Sequence, residues 1–437
     1  MNPKTFSHPE LVKKFSPEVK TLFQIFGEEI HIVGGAVRDL LLKKEVHDFD
    51  FCTKYLPDEI VKILNKNKIK AIPTGVKFGT ITAVVGGKNF EITTLRKDDK
   101  TDGRHCEPEF VSDYFLDAQR RDFTINALCL DSAGLVSDYF DGISDIQKQK
   151  VRFIGEAKTR IEEDYLRILR FFRFSCQYAA ELDVQGLAAC VLERENLKKL
   201  SKERVRAEVL KMLLSAKKEN LIAVLKVFKE QKIADSIFSS KLDIEALERL
   251  FKLEKEFEFL ATQNLKIATL FLQKEIDLKI FAQEICATNL EKKYFLYLLN
   301  ALTGPRHEDG VTPRERRDET QTRVCHPVFT TGSSGLELRM EDLKQLLAFA
   351  DKNLVLDLYL LFLAKNSDFQ KNSDAKKNIQ FLQNFSLPNF PIGGEDVINL
   401  GFTGQAAGNA IEMAKKFWAA NDFKLQKTDL IKFLKTH

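Results

Sequence analysis

His31-Ile32-Val33-Gly34-Gly35-Ala36-Val37-Arg38-Asp39, with Asp48-Phe49-Asp50-Phe51 close behind it, is the stretch on which the fold turns. An apolar run enters a glycine pair, and AVRDLLLKK then has the spacing of a helix. This reads as strand, tight turn and helix start. Glycine at such a turn lets backbone N–H groups approach a phosphate, and a helix N-terminus favours an anion. Arg38 adds a fixed cationic fork, and Gly35 and Arg38 are candidate phosphate contacts. Asp48 and Asp50 stand two apart in text that reads as a strand, which predicts that both side chains point to one face. Two carboxylates there can hold two Mg²⁺ ions for an in-line displacement at phosphorus. Alone, the acid pair is a common chance pattern. Its combination with the glycine turn and Arg38 is specific.

Outward from this stretch, the first 150 or so residues hold most of the β-like text. HIVGGAV, DFDFCT, KFGTITAVV, FEITTL and FTINALCL are short runs rich in β-branched and aromatic residues, punctuated by Gly-Gly and Asp-Gly pairs, with DEIVKILNKNK a helix between them. Glu91, in FEITTL, either joins the acid pair or faces solvent from a half-buried strand. From about 157 the text turns helical and stays so, with apolar residues at three- and four-residue spacing. The expected class is α+β: a small mixed sheet in the first third and an all-α remainder.

Three further constellations bear charge. Arg120-Arg121-Asp122 opens an apolar run that includes Asn126, and the two arginines are candidates for neutralising a triphosphate; an Arg/Asp surface pair at an element boundary is the simpler alternative. Glu162-Glu163-Asp164-Tyr165-Leu166-Arg167 leads into Arg170 and Arg173. Read as one amphipathic helix, it sets Asp164 beside Arg167 and Arg167 beside Arg170. That pattern is either an i,i+3 ion pair or a base-reading edge. A carboxylate accepts from the exocyclic amino group of cytosine or adenine while a guanidinium donates to a ring acceptor. Uracil and guanine would leave buried groups unpaired. Ser201-Lys-Glu-Arg204-Val-Arg206-Ala-Glu208 reads as a structural helix capped by Ser201, and Trp418 as core or interface packing.

Composition limits the rest. At 437 residues the chain is too long for one core, and 67 Lys+Arg against 63 Asp+Glu leaves a net charge of only +4. No global field gathers nucleic acid, so any RNA contact needs local clusters. Cysteines at 52, 106, 129, 176, 190, 286 and 325 form no CxxC pair, which points away from a disulfide framework and toward a reducing cytoplasm. No apolar run has membrane-span length, and the N-terminal residues lack a secretory h-region. The segment 303–335 has Arg but no Lys and reads as an irregular insertion; a basic RNA-contacting arm is the alternative.

These motifs together resemble the class II tRNA nucleotidyltransferases, the CCA-adding enzymes, within the poly(A) polymerase superfamily. GGAVRD with DFDF is similar to that family's motif A, RRDFTINAL to motif B, YFDGISDIQKQKVRFIG to motif C, EEDYLRILRFFRF to motif D and LSKERVRAEVLKML to motif E. FPIGGEDVINLGFTGQAAGNAIEMAKKFWAANDF is more faintly similar to bacterial tails. The resemblance implies a head with a five-stranded nucleotidyltransferase sheet (1–145), a base-reading neck (146–215), a helical body (216–302), the insertion (303–335) and a helical tail (336–437). It implies template-independent addition of CCA to the 3′ end of tRNA from CTP and ATP, with pyrophosphate released. Asp48 and Asp50 would bind Mg²⁺; Gly35, Arg38 and Arg121 would hold the triphosphate. Asp164 and Arg167 would read the base, braced by Arg170 and Arg173, and body and tail would grip the acceptor and TΨC arms. The text RKDDKTDGRHCEPEFV (96–111) resembles the flexible loop of enzymes whose product ends in A. An A-only adder or a poly(A) polymerase is the nearest rival, and a catalytically inert RNA-binding module the more distant one.

Overall fold

The computed structural model describes residues 2–97, 109–215, 217–273, 276–303, 338–366 and 374–436. The insertion and most of the 96–111 loop lie outside them. The chain divides into two compact units, Met1–Ile237 and Phe238–His437.

The first unit is built on an eight-stranded sheet. Its strands are β1 (Lys4–Ser7), β2 (Ile30–Val33), β3 (Asp50–Thr53), β4 (Lys70–Gly75), β5 (Thr80–Val85) and β6 (Lys88–Thr94), then β9 (Leu128–Leu130) and β10 (Leu135–Asp138), after a separate short pair β7 (Arg96–Lys97) and β8 (Glu109–Phe110). The order across the sheet is β1-β10-β9-β2-β3-β6-β5-β4. Only β3 and β6 run parallel, so the sheet is mixed, as expected. The expected count of five is corrected to eight. The five strands legible in the text are the contiguous centre, β9-β2-β3-β6-β5, and the additional three flank it. β1 and β4 are edge strands with little apolar text: all four residues of β1 are exposed, and β4 carries Pro73, which an edge tolerates.

One face of the sheet carries the core. Ile30, Ile32, Phe51, Ile81, Phe90 and Ile92 pack there with Leu22, Val37, Ile60 and Leu64 from the helices Pro17–Phe26, Gly35–Leu41 and Pro57–Lys66. Strand alternation sends their neighbours to the opposite face, where Cys52 and Cys129 sit with Val33 and Leu95. Asp50 and Glu91 belong to that second face, because Phe51, Phe90 and Ile92 face the core.

Helices Ala157–Glu163, Leu166–Tyr178, Val184–Glu193, Lys202–Leu213 and Lys218–Glu230 complete the unit. A column of aromatic rings joins them to the sheet region: Phe123 lies 4.9 Å from Phe153, and Phe153 stacks on Phe171 at 5.6 Å. The second unit is helical throughout its described residues. Trp418 is buried there against Phe390 and Phe423, consistent with the packing role read from sequence. Among the described residues no helix is long and apolar enough to cross a membrane.

Candidate active site

The turn after β2 is made by Gly34, whose backbone (φ 73°, ψ −131°) is open to glycine but strained for other residues. A Cβ here would stand 2.7 Å from Nη1 of Arg121. Gly34 thus lets the turn form and lets Arg121 lie against it. A Gly34→Ala variant should lose about 1–3 kcal/mol of stability, together with nucleotide affinity; a thermal melt and a nucleotide titration check this.

β3 begins at Asp50, while Asp48 precedes it, so the expectation of both acids on one strand is corrected. The strand partner supplies a second acid instead. Asp50 stands in register with Glu91 across the parallel β3–β6 pair. Protein crowding its hydration raises the Asp50 carboxyl above the ordinary range, Glu91 and Asp48 push the same way, and Arg121 opposes them. The Asp50 carboxylate has no ion pair or side-chain hydrogen bond among the described residues, although no group of three metal-type ligands is assembled there. This donor set fits a divalent cation: hard oxygen ligands, mutually repelling, with no protein cation paired to them. Sequence reasoning left Glu91 undecided; the register with Asp50 places it.

Asp117, only 2% exposed, holds both Arg120 and Arg121 (2.8 and 3.0 Å) from one turn back on the helix Tyr114–Gln119. Burial alone would raise the Asp117 carboxyl, but the two guanidiniums outweigh it and the net shift is downward. The i,i+3 and i,i+4 spacing to the two arginines was a readable signal for Asp117. Arg38 is 5% exposed. It donates to both Asp39 oxygens (3.0 and 2.8 Å) and to Asn126, and its guanidinium lies 4.0 Å from the centre of the Tyr178 ring.

The text from Glu162 to Arg173 is two helices rather than one. Glu162 and Glu163 end the helix Ala157–Glu163, Asp164 is extended (φ −154°, ψ 105°), and the next helix starts at Leu166. The expected Asp164–Arg167 surface pair is therefore absent. Asp164 accepts from Arg204 at 2.8 Å and from the Leu166 N–H at 3.1 Å. Arg167 pairs with Glu163 and donates to the Arg160 carbonyl at 2.7 Å. Arg170 binds Asp122 at 2.7 Å, and Arg173 binds Glu208 at 2.6 Å. Asp122 also accepts from Asn126 at 3.0 Å, so Asp39, Arg38, Asn126, Asp122, Arg170, Glu208 and Arg173 form one continuous polar chain. Ser201 occupies the N-cap position of its helix but makes no side-chain cap bond, and that helix supplies Arg204 and Glu208 to the site.

These groups line a cleft of about 550 Å³, within the range of roughly 300–1,000 Å³ usual for small-molecule sites. Gly34, Gly35, Arg38, Asp50, Arg121, Asp164, Arg167, Arg170 and Arg173 all border it. Of the residues expected from sequence, Asp48 is not on the wall, and neither is the candidate Glu91. Arg120, read with Arg121 as a charge-neutralising pair, lines the cleft too, while sequence reasoning missed Asp122, Asn126 and Arg204 as lining residues. A strand-borne acid, two carboxylate-anchored arginines and an Asp–Arg set on the wall of one cleft suit a polyphosphate with a base attached.

A sheet-borne acid facing an arginine-lined cleft defines the class: a nucleotidyltransferase with a helical extension. Residues 30–152 match the family model described as poly A polymerase head domain. The chain is 32% identical over 418 residues to the mitochondrial CCA tRNA nucleotidyltransferase 1 of Danio rerio, covering 94% of this chain and 88% of the relative. It is 40% identical over 201 residues to the CCA-adding enzyme of Oceanobacillus iheyensis, covering 46% and 49%. The Bacillus stearothermophilus CCA-adding enzyme in complex with CTP superposes with a TM-score of 0.70 at 24% identity, covering 97% of this chain and 98% of that one. The Thermotoga maritima CCA-adding enzyme complexed with tRNA superposes at 0.67 and 19%, covering 100% and 99%. The chain belongs to the CCA tRNA nucleotidyltransferase family and is an enzyme of that family.

Proposed function

We propose that this enzyme adds C, C and A to the 3′ end of tRNA, taking CTP and ATP as substrates without a nucleic-acid template. The observation that carries the reading is the single cleft that joins Asp50 to Asp164 and to five of the arginines read from sequence or flanking them: Arg38, Arg121, Arg167, Arg170 and Arg173. The tRNA 3′-hydroxyl attacks the α-phosphorus and its proton is lost to solvent; a new P–O bond forms as the bond to the bridging oxygen breaks and pyrophosphate leaves. Asp48 and Asp50, with Glu91 beside them, would hold Mg²⁺, which when bound supplies Lewis-acid stabilisation of charge at phosphorus. Gly34 and Gly35 admit the triphosphate close to backbone, Arg121 faces it, and the buried Arg38 contributes a fixed positive field from the wall. Asp164 accepts from the amino group of cytosine or adenine, and Arg167 donates beside it. Arg204 and the Leu166 N–H hold Asp164, and Glu163 with the Arg160 carbonyl holds Arg167, before substrate arrives.

In the same reading, 1–145 is the catalytic head, 146–215 the neck, 216–302 the body and 336–437 a tail, with body and tail holding the acceptor and TΨC arms through phosphates and shape. A cytoplasmic location, inferred from cysteine usage, belongs to it too.

Incubation of the protein with tRNA lacking CCA, offering one labelled nucleotide at a time, tests the reaction. CTP should be incorporated first, and ATP only after CTP. No CTP incorporation would overturn the reading, and a long A-tail on unstructured RNA would replace it with a polymerase. Base selection has its own test. Arg167→Ala should weaken rejection of UTP and GTP about tenfold or more. Arg204→Ala should do so to a smaller extent, because Asp164 loses its anchor but keeps its bond to the Leu166 N–H. Unchanged selectivity in both variants would remove Asp164 and Arg167 from base reading.

A further inference from the structure

Behind the wall formed by Arg38, Gln177 and Tyr178 lies a second hollow of about 440 Å³, which shares those three residues with the nucleotide cleft. Three lysines converge on it from three separate places in the chain. Lys44 follows the helix Gly35–Leu41, Lys150 follows the helix Gly142–Gln147, and Lys217 precedes the helix Lys218–Glu230. Among the described residues no carboxylate lines the hollow. None of the three has an ion-pair partner among the described residues, and the Lys44 ammonium rests 4.3 Å from the centre of the Tyr178 ring. Asp39, the acid whose charge acts on Lys44, is already bound by Arg38 and by the Tyr178 hydroxyl. Partial burial lowers the Lys44 ammonium below its ordinary range, and Arg38 and Lys217 repel it further, against the opposing pull of Asp39. The remaining surface includes Leu42 and Ile146.

Like charges gathered without a counter-ion repel one another, and lysine is a compact point charge suited to phosphate. We infer that this hollow is a second phosphate site, distinct from the nucleotide cleft, which takes a phosphate-bearing ligand through Lys44, Lys150 and Lys217. Apolar parts of the ligand rest on Leu42 and Ile146. The ligand is either a free oligophosphate or a stretch of RNA backbone, since both present the same anion. Because the two cavities share a wall, a ligand in one changes affinity in the other, and the effect is reciprocal.

The experiment compares the full-length chain with K44A/K150A/K217A and with the charge-preserving K44R/K150R/K217R. Titration calorimetry with inorganic pyrophosphate counts sites. For a free oligophosphate, two sites are expected in the natural chain, one in the alanine triple and two again in the arginine triple. Binding of tRNA over a range of salt concentrations forms the second arm. For RNA backbone, the slope of log K against log salt should fall by about three in the alanine triple, one per lost phosphate contact, and recover in the arginine triple. The tRNA arm and the total of two sites rest on the proposed function, whereas the loss of one site between the natural chain and the alanine triple does not. Absence of tRNA binding in the natural chain would count against that function while the site count still decides this inference. An alanine triple that melts like the natural chain, with unchanged pyrophosphate stoichiometry and unchanged salt slope where tRNA binds, overturns it.

Discussion

Asp50→Ala should reduce nucleotide addition by at least about 10³-fold in kcat/KM, equivalent to about 4 kcal/mol of lost transition-state stabilisation. The tRNA dissociation constant should hardly move. The reason lies in the sheet. Asp50 is the acid at which β3 opens onto the cleft, in register with Glu91 and with no protein cation paired to it. On the proposed reading, removing it takes away the carboxylate that would hold a metal at the strand, while the helical surfaces proposed to hold tRNA stay as they were. Asp50→Asn is the stricter version, because it keeps the shape and removes the charge. Single-turnover rates at saturating tRNA and CTP, with a parallel filter-binding assay, separate the two effects. A residual rate within tenfold of the natural enzyme would place the metal elsewhere. Asp48→Ala should also abolish addition, though Asp48 lies off the strand and off the cleft wall.

The second large effect is on stability. Asp117→Asn leaves Arg120 and Arg121 without their shared carboxylate, in positions where their side chains are 18% and 19% exposed. Breaking a buried pair by removing one partner costs about 3–5 kcal/mol. Because the arginines keep some contact with water, about 3 kcal/mol is expected here. For a unit of this size that is a fall of roughly 6–12 °C in Tm. The pH dependence has a definite sign. The folded Asp117 carboxyl titrates below its unfolded value of about 4, so its stabilisation is present above that value and is lost as pH falls through the lower folded one. Asp122, whose carboxyl is likewise lowered (burial opposing, Arg170 and Asn126 prevailing), acts in the same sense. The stability gap between the natural chain and Asp117→Asn should therefore be flat from neutral pH to about 5 and narrow below about 4. Chemical denaturation at several pH values measures it. A gap that widens in acid would contradict the assignment.

How much of this was legible depended on where the information resides. The central strands were readable because they are buried enough to need Val, Ile and Phe; β1, β4 and β10 escaped notice because edge and near-edge strands are written in ordinary surface residues. Asp50, Arg121 and Arg170 reached the cleft as expected because glycine turns and helical spacing are local signals. The partners were not local. Arg204 meets Asp164 across forty residues, and Glu208 meets Arg173 across thirty-five. Nothing in a helix that reads as ordinary charged surface announces a partner that distant. The break at Asp164 was also hidden, since Glu-Glu-Asp suits a helix start as well as the end of a preceding one.

The polar chain from Asp39 to Arg173 carries a practical corollary. The matched head model stops at 152, yet Arg170, Arg173 and Glu208, which complete that chain, come later. A gene fragment truncated at 152 would leave Asp122 without its guanidinium and Phe123 stripped of the rings that cover it. Such a fragment should be recovered as an insoluble product, whereas one ending near 237 should behave as an autonomous, sharply melting domain.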